Sequence, residues 1–74
     1  MLKLNSCYKT KDICLSDSKQ KLPLIDPGEI VFMLSFVKDD KNTHKEQLYT
    51  SVLLTKYGIG TFEKVLKSDF VLIE

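Results

Sequence analysis

The sequence predicts a mainly-β single domain over residues 1–74, and three observations carry that reading. Alanine, the best helix former, is absent, and eleven leucines do not offset its loss, so a helical bundle is disfavoured. Apolar residues in the second half of the chain recur with a period of two rather than 3.6. Turn-forming residues punctuate these runs at short intervals, as about four to six short strands would require. With 74 residues, one core fills the chain. Only about 60% of the unfolded surface can be buried at this size, so stability is marginal.

The clearest strand is Ile30-Val31-Phe32-Met33-Leu34-Ser35-Phe36-Val37. It follows Asp26-Pro27-Gly28, a turn in which proline fixes φ and glycine can take positive φ. Ile30, Phe32, Leu34 and Phe36 form one apolar face and are assigned to the core. Val31, Met33 and Val37 then point outward, beside Tyr49 or Leu53 from the next strand. These five residues are the candidate partner-binding patch, because a strand apolar on both faces must be covered on both. A competing arrangement folds residues 2–15 over that same face.

Residues 38–46 contain no apolar member and read as an exposed loop. Residues 47–55 form a second strand, Lys56-Tyr57-Gly58 a tight turn, and residues 59–62 a short third strand. Phe62, Val65, Leu66 and Phe70 follow spacing i, i+3, i+4, i+8, which predicts a short helical turn capped by Thr61. Residues 70–73 close the chain as a strand. Before residue 25 the alternations are brief (Leu2 with Leu4, Ile13 with Leu15), so one or two strands around an extended loop are expected.

Taken in this order, the parts resemble a small SH3-like β-barrel, particularly the bacterial SH3-type domains. Residues 21–31, with Gly28-Glu29 at the turn, are similar to the segment entering that family's second strand. Residues 52–62 resemble its central hairpin, with Gly60-Thr61-Phe62 in place of a Gly-Trp-aliphatic triplet. Ser68-Asp69-Phe70-Val71-Leu72-Ile73 is similar to the closing turn and strand. The resemblance covers roughly residues 22–74 and implies about five strands, with a short helical turn before the last. It does not bring polyproline binding with it, because the chain has no tryptophan and Tyr8, Tyr49 and Tyr57 are scattered.

Composition narrows the function classes. All eleven cations are lysine, so the arginine fork that reads guanine and grips phosphate is missing. A net charge of +1 argues against neutralising a run of phosphates. The sequence shows no apolar run of about 20 residues to cross a membrane and no secretory leader, which points to the cytoplasm. Cys7 and Cys14 match no standard zinc spacing and are expected as free, partly buried thiols. His44 sits in the most polar loop without a partner to make it a general base. Asp39-Asp40 lacks the further oxygen ligands of a hard-cation loop. No phosphate-binding glycine loop or nucleophile elbow occurs.

No catalytic residue, metal or cofactor is therefore expected, and the chain reads as a non-enzymatic protein-interaction module. A small accessory protein of the kind phages encode would fit, docking on another protein or on a second copy of itself. The alternative is a nucleic-acid-binding barrel using Lys3, Lys9, Lys11, Lys19 and Lys21, with Tyr8 available for stacking. A sponge for a small signalling molecule would need a pocket at an oligomer interface.

Overall fold

Five antiparallel strands form one unclosed sheet in the order β4-β3-β2-β1-β5. They are β1 Ser6–Thr10, β2 Ile30–Lys38, β3 Leu48–Thr55, β4 Gly58–Leu66 and β5 Phe70–Leu72, with one 3₁₀ turn at Lys67–Asp69 before β5. This computed structural model describes residues 2–12, 14–40 and 45–73, so Ile13 and His44 lie outside the described residues. The mainly-β reading holds, and no described helix is long and apolar enough to cross a membrane.

The core lies against one face of the sheet. Tyr8 from β1, Val31 and Met33 from β2, Tyr49 and Leu53 from β3, Phe62 and Val65 from β4, and Phe70 from β5 all bury there. Leu2, Leu15 and Ile25 join them from outside the sheet. Two edge-to-face aromatic pairs, Tyr8 with Phe70 and Phe36 with Tyr49, have centroids 5.8 and 5.7 Å apart.

This arrangement inverts the face expected for β2. Met33 and Leu53 are opposite each other and both 0% exposed, whereas Ile30 is 62% exposed. Val31 and Tyr49 are buried as well, so of the five candidate patch residues only Val37 reaches solvent. The competing arrangement is the one adopted, because Leu2 and Leu15 pack into the same cluster as Met33. A strand apolar on both faces leaves alternation without a preference, and packing partners decide.

A register shift in the β2–β3 pairing, between Met33 and Ser35, adds to the error. Phe32 pairs with exposed Leu54, but Phe36 pairs with fully buried Ser51 and packs against the core. Leu34 is the extra residue, and an extra residue moves every later side chain to the opposite face. Ile30, Phe32, Leu34 and Phe36 thus never shared one face.

The expected helical turn over residues 62–69 is mostly strand, for a related reason. β4 continues to Leu66, and its register against β3 shifts between Tyr49 and Ser51. Lys64 takes φ 57°, the left-handed conformation that accommodates the bulge. The extra residue puts Phe62 and Val65 on the same buried face three positions apart, which imitates helical spacing. Only Lys67–Asp69 is helical, and Asp69 Oδ2 accepts a 2.8 Å hydrogen bond from the Leu66 amide. Thr61 caps nothing there; its amide donates to Asp17 instead.

Candidate functional site

The outer face of the sheet is the surface that the strands leave uncovered. Pairing places Cys7, Phe32, Leu54 and Ile59 side by side across β1, β2, β3 and β4. Ile73 extends the row past β5, its amide donating to the Cys7 carbonyl over 3.0 Å. One apolar row therefore crosses the whole sheet, with Leu54 45% and Ile59 63% exposed. Ile30 and Val71 flank it through Lys9, which pairs with both. Half-buried Leu34 and Val52 lie on its other side. Monomers seldom leave contiguous apolar surface of this extent open, and such surface marks interaction sites.

The sequence reading missed this surface because it placed Phe32 and Leu34 in the core. The available signal was in β3 and β4, where Val52, Leu54 and Ile59 supplied a matching apolar row.

Opposite this face, the long loop between β1 and β2 is tied down by two polar residues. Thr10 is buried, and its hydroxyl donates to the Asp26 carbonyl (2.8 Å) and accepts from the Glu29 amide (3.0 Å). Its backbone carbonyl accepts from Gly28, where φ is +85°. Thr10 thus closes the base of the loop, and glycine supplies the conformation the turn needs.

Asp17 holds the loop's middle. Its Oδ2 accepts from the Lys21 amide at 3.0 Å, and its Oδ1 accepts from the Thr61 and Lys19 amides at 3.3 and 3.4 Å. Burial alone would raise its pKa, but hydrogen bonds from the amides of Lys21, Lys19, Thr61 and Leu22 hold it below the ordinary value of 3.8. A carboxylate held ionised by backbone donors is suited to stapling rather than to proton transfer. The adjacent Ser18 amide donates to the Thr61 carbonyl (2.8 Å), so this loop also covers part of the β4 edge.

At the other end of the sheet, Lys56 and Tyr57 form the β3–β4 turn. Lys56 Nζ lies 2.9 Å from Glu29 Oε1 and 5.1 Å from the Tyr57 ring centroid. The hydrogen bond that Lys56 donates to Glu29, then its interaction with Tyr57, raises the Lys56 pKa above 10.5.

No protein-family model matches the chain, and no curated protein or solved structure matches it either.

Several sequence candidates take definite positions. Cys7 and Cys14 are free and exposed, rather than partly buried, and Cys14 Sγ lies 4.0 Å from Asp26 Oδ1. Tyr8 is buried with its hydroxyl accepting from the Lys3 amide at 2.7 Å, so its ring is not open for base stacking. Asp39 donates its amide to the Leu48 carbonyl within the loop base. Among the described residues no group of three or more His, Cys, Asp or Glu is placed to hold a metal, and no cavity opens.

Proposed function

We propose that this chain is a small protein-interaction module without enzymatic activity, which docks through the outer face of its sheet. The observation that carries this is the apolar row that runs from Ile73, just past β5, across β1, β2 and β3 to Ile59 on β4, uncovered by any described segment. We also assign the architecture to the SH3-like class. In support, a long loop joins β1 to β2, a two-residue turn joins β3 to β4, and a 3₁₀ turn precedes β5. That architecture hosts many binding roles and by itself selects none.

Burial of Tyr8 weakens the nucleic-acid alternative, since stacking on an aromatic side chain was half of its basis. The test is photochemical. A photoreactive phenylalanine analogue at Ile59, in the cells that make the protein, should give protease-sensitive adducts, and the same analogue at exposed Lys21 should not. Adducts removed by nuclease would favour nucleic acid, and no adduct from Ile59 would reject docking through this face.

A further inference from the structure

We infer that the second half of β2 is a strand-addition site, where an extended segment of another protein pairs with the open edge from Leu34 to Lys38. This edge is separate from the outer face, so either can fail as a docking surface without the other.

β1 covers only the first half of β2. Its pairing runs from Lys9 and Ile30 to Ser6 and Met33, and the Asn5 amide adds a last 2.8 Å bond to the Met33 carbonyl. Asn5 then takes φ 55°, and the Lys3 amide bonds the Tyr8 hydroxyl, so the chain folds back toward β1 instead of following β2. β2 itself runs on to Lys38, paired on its other side with β3.

The alternation of an antiparallel ladder fixes where the main-chain groups of this half point. The Asp39 amide donates to the Leu48 carbonyl over 2.9 Å, so Asp39, Val37 and Ser35 face β3. Phe36 and Lys38 therefore aim their amides and carbonyls the other way. Among the described residues, nothing bonds any of these four groups.

The two outer edges of the sheet are guarded in ways this one is not. On β4 the Thr61 amide and carbonyl are taken by Asp17 and Ser18, and the bulge at Lys64 follows charged Glu63. β5 offers three residues, and the Phe70 amide is already spent on the Lys67 carbonyl. Leu34 to Lys38 spans about 17 Å, with no proline and no charge before its last residue. Val37, between the two outward-facing positions, is 67% exposed, more than any other large apolar side chain described.

These features set the chemistry of the occupant. Phe36 and Lys38 each present a donor and an acceptor two places apart, which is the repeat of an extended backbone. A helix spends its own main-chain groups internally, and a phosphate backbone has no donors for the two carbonyls. An antiparallel segment of about five residues exchanges both bonds with Phe36 and both with Lys38. Its intervening residue lies opposite Val37 and is apolar, since that pair covers the exposed valine.

A displayed library of random linear heptapeptides, selected on the purified protein, tests this. Selected peptides should carry apolar residues at alternate positions. They should bind Lys38→Pro about tenfold more weakly, because proline removes one outward amide while sparing the bonds to β3, and Lys38→Ala should bind as the parent does. Val37→Lys, at an exposed position, should also lose binding, and it decides the matter if Lys38→Pro does not fold. In the free protein the Phe36 and Lys38 amides should exchange rapidly with solvent, then slow at least tenfold at saturating peptide while the Thr61 amide keeps its rate. No enriched peptide, peptides that bind both variants like the parent, or a Phe36 amide already protected in the free protein would overturn the inference. Protection that grows with protein concentration in the absence of peptide would place a second copy on this edge and would overturn it equally.

Discussion

A Cβ added at Gly60 would approach Leu22 Cδ1 to 2.8 Å, so the loop between β1 and β2 occupies the space that a side chain on β4 would need. The same Cβ would lie 3.1 Å from Phe62 Cε1 and 3.4 Å from Asp17 Oδ1. Gly60 is therefore set by close approach rather than by backbone conformation. Through it the loop's apolar and polar anchors meet β4 at one point.

Gly60→Ala should destabilise the protein by about 1–2 kcal/mol. Leu22 is the flexible end of a side chain and can rotate away, and alanine recovers some backbone entropy, so the net loss stays moderate. Thermal unfolding measures it, and a stability equal to or above that of the parent would show that Leu22 does not pack there.

Met33→Lys and Leu54→Lys should separate the two faces of the sheet. Met33 is fully buried opposite Leu53, and an unpaired ammonium there costs about 4 kcal/mol or more, enough to unfold a domain of this size. Leu54 is 45% exposed, so its substitution should change stability by about 1 kcal/mol or less. Urea titration of both variants checks this; a folded Met33→Lys protein would mean the sheet buries the opposite face.

These two residues also mark what the sequence could and could not disclose. The extents of β2 and β3 were legible, because long apolar runs bounded by Pro-Gly and by a polar loop admit few readings. The buried face of β2 was not, since both faces were apolar and the deciding contacts come from Leu2, Leu15 and Ile25, far away in sequence. Two bulges hid the rest. The extra residue at Leu34 split an apparently uniform face, and the one at Lys64 gave a strand the spacing of a helix. A bulge leaves little trace in a single sequence when the residue in the left-handed conformation is lysine rather than glycine.

Lys64→Gly should for that reason be stabilising. A side chain at φ 57° costs about 1 kcal/mol, which glycine removes at a position already exposed and paired with no acid. The midpoint of thermal unfolding should rise by about 4–8 °C. Lys64→Val should lower it, because a β-branched residue tolerates that conformation least.

Asp17 gives the protein a specific dependence on acid. Its pKa is lowered in the folded state because amide donors at Lys21, Lys19, Thr61 and Leu22 outweigh the effect of burial. The unfolded chain therefore binds the proton more readily, and stability rises with pH across that interval. The contribution is fully present above the unfolded value, near 3.8, and is lost as pH falls through the lower folded pKa. Asp17→Asn keeps the shape but turns an NH₂ group toward donors that a carboxylate oxygen accepted, so the loop loses at least one of its bonds to Lys21, Lys19 or Thr61. The variant should melt lower than the parent at pH 7, and the gap should narrow as pH is taken below 3.8. Unfolding curves over that pH range decide the matter. A gap that stays constant into acid would show that the Asp17 charge contributes nothing and that only the shape of the side chain holds the loop to β4.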